Sequence, residues 1–590
     1  MNFNQIPSEA KPSEGEDETR FHRLPSEAKP SEGEDEGKLE RGKLHRLFNS
    51  QSKTITFAAI LVSFSALISS LLGLIRDRLL AGRFGAGQDL DIYFAAFRIP
   101  DFVYGILITG GIVAVFLPVF SEHFQKDEKK AWELTNNVLN CFLILLIFLC
   151  GILAIFAPQL IQIVTPGFNP ENKALTVSLA RIMFLSPILF GLSSIFSGIL
   201  HYFNRFLVYS IAPILYNLGI IFGILFFVPV LSTPIYGVAY GVILGAFFYC
   251  LIQIPAARIS GYSWRPFFNF KYPGLIKIFK LMIPRTIGAA AYHLNLIIIT
   301  AIASTLVVGS IAVFNFSNNL QYFPIGLIGI SFALASFPVL ARTWAAGEKG
   351  KFLENFSSVF RQILFLIIPI SLLLFLLRAQ IVRIILGTGQ FGWLETRLTA
   401  ACLGLFCLGI FAQAFIPFLA RVFYSFQDTK TPVTIGIASL ALNIILCFFL
   451  VWLLKFPNIF QEFMISALKL QDIKNIAVIG LALALSISAI FQFSFLLIFL
   501  RKKIGTLKLK EIWQSFKKII LAGILMVVFT YLTLQIAANF VNMQTFWGVF
   551  TQGSLAGLVG IFIYILVVFL LKSPEIKIIK FSILKQFTKT

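Results

Sequence analysis

The chain has 590 residues, of which 57% are hydrophobic, 15% aromatic and only 13% charged, with a formal net charge of +21. A soluble domain of ordinary composition is about 25% charged, so these proportions exclude a water-soluble globule and specify an all-α polytopic membrane protein. No nucleic-acid partner is expected.

The first residues are a different material. Pro7-Ser8-Glu9-Ala10-Lys11-Pro12-Ser13-Glu14-Gly15-Glu16-Asp17-Glu18 recurs at Pro25 to Glu36. Residues 1–36 hold ten of the 28 acids but four of the 49 bases, which leaves +27 on the remainder. A Pro/Ser/Glu segment of this kind has too little apolar surface to build a core, so residues 1–45 are expected to form a disordered acidic tail. No cleavable signal peptide is expected, because apolar sequence begins only near Thr54.

From there, apolar runs of about 20 residues predict fourteen transmembrane helices. They fall near 54–75, 92–119, 138–163, 174–200, 208–231, 234–255, 281–305, 311–338, 360–385, 397–420, 432–454, 474–500, 519–539 and 549–571. With both termini cytoplasmic, the inside segments carry 32 Lys and Arg residues and the outside loops far fewer, as the positive-inside bias requires. A weak repeat supports this count. Pro118-Val119-Phe120 with Glu128-Lys129 recurs as Pro338-Val339-Leu340 with Glu348-Lys349, and Pro100 answers to Pro324. Two parallel six-helix lobes are therefore expected at 46–260 and 261–505, with residues 506–590 adding two helices and a basic tail. A substrate site belongs between such lobes.

The candidate site residues cluster where charge meets apolar sequence. Arg76-Asp77-Arg78 is followed by Arg83, Gly85, Gly87, Asp91, Arg98, Pro100 and Asp101. Intramembrane charges cost about 2.5–3.5 kcal/mol each on insertion scales, so they mark function more often than chance. Arg76, Arg83 and Arg98 are expected to hold phosphate oxygens, since the guanidinium fork donates two hydrogen bonds at once. The bland alternatives are a snorkelling helix end at Arg78 and an intrahelical Arg98–Asp101 pair. Arg285 follows Pro284 in the seventh span, where substrate binding and snorkelling are evenly balanced. Asn315, Asn318, Asn319 and Gln321 precede Pro324 in the eighth; four amides facing lipid would be costly, so they are expected between the lobes. The six cysteines lie in apolar spans without metal-ligand spacing and the five histidines are scattered, so no metal site is expected. No nucleophile elbow, P-loop or catalytic carboxylate pair is present, which points to a transporter rather than an enzyme.

These residues resemble the MviN/MurJ lipid II flippases of the multidrug/oligosaccharidyl-lipid/polysaccharide exporter superfamily. Arg76-Asp77, Phe84-Gly85-Ala86-Gly87, Asp91 and Ala96-Phe97-Arg98-Ile99-Pro100 look like the signature of the first two helices, and Thr165-Pro166-Gly167-Phe168 like the loop after the third. Phe423-Tyr424-Ser425-Phe426-Gln427-Asp428-Thr429-Lys430-Thr431-Pro432 looks like the loop after the tenth. The resemblance implies translocation of an undecaprenyl-linked peptidoglycan precursor from the inner to the outer leaflet of the bacterial cytoplasmic membrane. It further implies two lobes in alternating access, a cationic cavity for the diphosphate-sugar and a lipid-tail groove beside the last two helices. An ion gradient or the membrane potential would supply the energy, with no bound cofactor; membrane lipids and cell-wall synthesis proteins are the expected partners. Gly85, Gly87, Pro100, Gln427, Asp428, Lys430 and Pro432 would serve as gating or loop elements, and Asp77, Asp91 and Asp101 as ion-pair supports. The chain departs from the family at Tyr104, Thr109 and Asn319, where arginine, glutamate and arginine are usual, and its loop arginine is shifted to Arg83. Arg285, with Asn318 and Asn319, would then share in binding a less cationic cavity. The alternatives are an exporter of another polyprenyl-linked saccharide and a non-transporting scaffold for cell-wall enzymes.

Overall fold

The computed structural model describes residues 55–106 and 112–576, apart from the side chains of residues 55–60, 113–114, 284–285 and 287–289. The acidic repeat and the expected 1–45 tail lie outside the described residues. Every regular element among the described residues is α- or π-helical, as a lipid setting demands: helices satisfy their backbone N–H and C=O groups within one segment.

The first lobe contains α1 (Ile55–Phe84), α2 (Gln88–Tyr104 and Val113–Lys126), α3 (Glu128–Ile155), α4 (Pro170–Tyr202), α5 (Phe206–Phe227) and α6 (Ile235–Ile259). The second contains α7 (Pro273–Ser304), α8 (Ser310–Ala345), α9 (Lys349–Leu376), α10 (Trp393–Cys407 and Ile410–Ser425), α11 (Lys430–Leu453) and α12 (Val478–Ile504). Then α13 (Leu509–Ala538) and α14 (Phe546–Leu570) pair with each other and lean on α9. Ten of these are long and apolar enough to cross a membrane, and α10 makes an eleventh as a pair bent by 47°. Helices α1, α2 and α7 complete the expected fourteen and carry the charged residues of interest.

The structure extends the repeat beyond what the sequence shows. Helix α2 turns π-helical at Gly105 and Ile106 after Pro100, and α8 does so at Ile325–Ile330 after Pro324. A short helix precedes α4 (Ala157–Val164) and another precedes α10 (Arg378–Ile385). Both α4 and α10 break near their middle, at Phe184 and at Leu408-Gly409. A proline within a helix removes a hydrogen bond and crowds the preceding turn, which is why the π-helical turns of α2 and α8 follow Pro100 and Pro324.

Within the first lobe, α5 and α6 meet through glycines. A Cβ on Gly219 would stand 2.3 Å from the Gly245 Cα, and one on Gly223 2.5 Å from the Gly241 Cα. Small residues four apart let two backbones approach closely, a standard device where lipid offers no hydrophobic drive to association.

The inter-lobe connection is extended and lies against α3. Asn136 donates to the Ser263 carbonyl (2.9 Å) and accepts from Arg265 N (3.0 Å). Asn137 donates to the Asn269 carbonyl (2.8 Å) and accepts from Asn269 N (2.7 Å), while Asn140 donates to the Arg265 carbonyl (2.9 Å). Three amides on one helix thus stand in for a neighbouring strand, satisfying backbone groups that no regular structure reaches.

Candidate functional site

A cavity of about 490 Å³ lies between the lobes. Arg76, Asp77, Arg98, Asp101, Asn315, Asn318 and Asn319 all line it, so seven of the sequence-derived candidates come together. Arg83 does not: it is exposed at the end of α1, away from the cavity lining. Arg285 sits in α7, but its side chain lies outside the described residues.

The charged groups form two connected chains. Arg76 donates to Asp77 through Nε (3.0 Å) and Nη2 (2.8 Å), and to Asn217 Oδ1 on α5 (3.2 Å). The second Asp77 oxygen accepts from Asn319 Nδ2 on α8 at 2.9 Å, which crosses from one lobe to the other. Arg98 also crosses, donating from Nε to Thr300 Oγ1 (2.7 Å) and from Nη2 to Asn315 Oδ1 (2.5 Å). The intrahelical Arg98–Asp101 alternative is not what the structure shows: these two form no direct ion pair among the described residues, and Arg98 reaches across to α7 and α8 instead. Asp101 is left with its carboxylate toward the cavity. The amides of α8 are spent on one another and on these charges, with Gln321 donating to Asn318 (2.9 Å) and accepting from Gln413 (3.0 Å).

At one end of the cavity the lobes are tied by buried backbone contacts. Asp91 is 4% exposed, and its two oxygens accept from Gly309 N (2.6 Å) and Ala312 N (2.8 Å) at the N-terminus of α8. A carboxylate there satisfies N–H groups that the helix itself cannot and complements the helix dipole. Gln390 N donates to the Gly82 carbonyl (2.9 Å), and Arg78 donates to the Ile384 carbonyl. Arg78 is therefore a lobe-to-lobe tie and not merely a snorkelling helix end. Gly309 has φ +91° and a Cβ there would stand 2.0 Å from the Ala86 carbonyl oxygen, so no side chain fits. At Gly85, φ +62°, a Cβ would stand 2.9 Å from the Gln390 carbonyl oxygen, while Gly87 is extended and precedes the first turn of α2.

The opposite end is held more lightly. Helix α7 follows α2 along its length, with Gly105 against the His293 ring. Beyond it Lys277 bridges Glu122 at 2.7 Å, with both side chains about half exposed. Lys277 and Lys126 hold the Glu122 carboxyl well below the usual range, at about 2. Exposed pairs of this kind are screened by water and contribute little, so this tie is weaker than the buried one at the other end.

The loop after α10 is elsewhere. None of Gln427, Asp428, Lys430 and Pro432 lines the cavity. Gln427 takes φ +60°, and Asp428 accepts from Thr431 N (3.0 Å) and from Lys503 Nζ (2.7 Å) on α12. Burial pushes the Asp428 carboxyl up, but Lys503 and Thr431 outweigh it and hold it below its ordinary range. The motif fastens the start of α11 to the end of α12.

The family profile described as lipid II flippase MurJ matches residues 80–551. The chain belongs to the lipid II flippase MurJ family. A probable lipid II flippase MurJ of Buchnera aphidicola is 30% identical over 511 residues, which cover 84% of this chain and 94% of that protein. The probable lipid II flippase MurJ of Vibrio cholerae is 32% identical over 413 residues, 68% of this chain and 78% of that one. Among solved structures, the lipid II flippase MurJ in an inward closed conformation superposes with a TM-score of 0.69 at 24% identity, covering 86% of this chain and 98% of that one. An inward-facing multidrug resistance MATE transporter of the MOP superfamily follows at 0.61 and 14% identity, covering 76% and 99%. Both structural likenesses concern the fold. Membership makes this chain a multi-pass transporter of the bacterial inner membrane rather than an enzyme. Arg76 and Asp77 stand just ahead of the matched region.

Much of the cavity wall has no sequence signal. Tyr93 and Tyr104 on α2, Phe190 on α4, Tyr216 and Asn217 on α5 and Tyr249 on α6 all line it. They are single residues on separate apolar helices, and aromatic residues are common throughout the chain.

Proposed function

We propose that this chain translocates a lipid-linked diphosphate-sugar, the lipid II precursor of peptidoglycan, across the bacterial cytoplasmic membrane by alternating access. The observation that carries this reading is the pair Arg76 and Arg98 in an inter-lobe cavity whose two ends are tied with unequal strength. Arg76 keeps 22% of its side chain exposed to the cavity although Asp77 already accepts from it, so it remains available to a phosphate. The bias of Lys and Arg toward one set of loops supports cytoplasmic termini, an orientation in which the Asp91–Gly309 end faces outside and the Glu122–Lys277 end inside. The cavity then admits substrate from the inner leaflet while the outer end stays sealed. No nucleotide-binding motif is present, so an ion gradient or the membrane potential is the proposed drive, and docking to cell-wall synthesis proteins is proposed through the cytoplasmic segments.

Complementation tests this directly. In a bacterium depleted of its own flippase, the wild-type chain is expected to restore growth and Arg76→Gln to restore little or none at equal membrane abundance. Rescue by Arg76→Gln equal to wild type would remove the phosphate-binding role, and failure of the wild-type chain to rescue would remove the substrate assignment.

A further inference from the structure

The cavity lining carries both charge and aromatic rings. Besides Arg76, Arg98, Asp101 and the amides of α8, it includes a cluster of rings from the first lobe. Phe190 is its centre, with ring centroids 4.9 Å from Tyr104, 5.2 Å from Tyr216 and 5.2 Å from Tyr249, all tilted or edge-on. Four helices contribute one ring each, so the cluster is a product of the tertiary fold and not of one amphipathic face.

The hydroxyls of this wall are unspent. Buried tyrosines ordinarily find a hydrogen-bond partner. Tyr262 does, through Asn136 at 3.1 Å, and so does Tyr564, through the Phe365 carbonyl at 2.8 Å. Tyr104, Tyr216 and Tyr249 line the cavity, and no protein hydrogen bond to their hydroxyls occurs among the described residues. They leave aromatic surface and donor–acceptor hydroxyls available to whatever fills the space. The wall also contains no Lys, Arg or His, so it does not suit the carboxylates of a peptide. Bare hydrocarbon would leave three hydroxyls without partners.

Resting on the translocation reading above, we propose that the Tyr104–Phe190–Tyr216–Tyr249 wall is a saccharide subsite. A pyranose fits both halves of its chemistry, having apolar C–H faces for the rings and hydroxyls for the phenols. The diphosphate that carries the sugar is then placed at Arg76, whose partner Asn217 is the chain neighbour of Tyr216. At about 490 Å³ the cavity falls within the roughly 300–1,000 Å³ typical of small-molecule sites. The subsite makes this transporter selective for glycosylated over bare polyprenyl diphosphate.

The test is equilibrium binding to the full chain in lipid nanodiscs, with three probes: undecaprenyl diphosphate, undecaprenyl diphosphate bearing one N-acetylhexosamine and no peptide, and complete lipid II. Phenylalanine substitutions keep the rings and hence the packing. A neutral hydrogen bond is worth roughly a three- to tenfold change in affinity. Tyr216→Phe with Tyr249→Phe is therefore expected to weaken both glycosylated probes about tenfold more than the bare diphosphate, whereas Arg76→Gln weakens all three. If the double variant weakens bare and glycosylated probes alike, or neither, the subsite is overturned while the translocation reading stands on Arg76. If only complete lipid II responds, the wall reads the peptide and the saccharide assignment is overturned. Wild-type protein that binds none of the probes overturns the translocation reading itself.

Discussion

Asp91→Asn is the sharpest perturbation of the sealed end. The aspartate accepts two backbone N–H groups, at 2.6 and 2.8 Å, while 4% exposed. Asparagine keeps one acceptor oxygen and turns an NH2 toward the other N–H, so one charge-assisted bond is lost outright and the survivor becomes neutral. Hydrogen bonds to charged groups contribute about 1.5–3 kcal/mol, and the stranded donor at the start of α8 adds to the loss. Because both bonds run between lobes, the loss falls on the closed arrangement of this end and spares each lobe's own fold. A shift of about 2–3 kcal/mol is expected, or roughly 30–150-fold in the closed-to-open ratio. Spin labels at Glu171 and Trp393, exposed on opposite lobes at this end, report it as a second, longer distance in Asp91→Asn. A distance distribution identical to wild type in both Asp91→Asn and Asp91→Ala would refute the idea that this carboxylate holds the lobes together.

Three other outcomes follow from the same structure. Gly309→Ala adds a Cβ 2.0 Å from the Ala86 carbonyl oxygen at φ +91°, so it should open the same end and, through the left-handed backbone, also cost about 1–2 kcal/mol of stability; crosslinking yield between cysteines at 171 and 393 measures the opening. Glu575 is fully buried against Arg361 (3.2 Å) and Ser515 (2.7 Å), and Glu575→Ala, which strands the arginine, should cost about 3 kcal/mol in unfolding of the detergent-solubilised protein. Asp428 is held below its ordinary range, so its stabilisation is present above the unfolded carboxylate value of about 3.9 and disappears as pH falls through the lower folded one. The gap in melting temperature between wild type and Asp428→Asn should accordingly be wide at neutral pH and close in acid; a gap constant across that range contradicts the Lys503 clamp.

The fold was largely legible because a membrane restricts the options to apolar helices, and Pro100 and Pro324 announced their breaks at matching places. The charged part of the site was legible for a related reason: Arg76, Asp77 and Arg98 are conspicuous against apolar sequence. Sequence could not show what each charge touches. Arg98 looked suited to Asp101 three residues on, yet its partners Thr300 and Asn315 lie on other helices, and Arg83, one residue from the Phe-Gly-Ala-Gly motif, points outward. The aromatic wall was hidden for the opposite reason, since four rings on four helices are indistinguishable from the many that merely face lipid. Asn136, Asn137 and Asn140 are likewise unremarkable in sequence, because their partners are carbonyls and amides more than 120 residues away.

That asparagine ladder bears on how such proteins can be recombined. Residues 263–269 are chemically part of the first lobe's surface, so the joint between lobes falls at the few residues around Tyr272-Pro273-Gly274, where α7 begins. A chimera cut at residue 260 would bring in a foreign strap and strand six amide donors and acceptors on α3. One cut at 271–272 keeps strap and ladder together, and it is there that the second lobe of a relative can be exchanged.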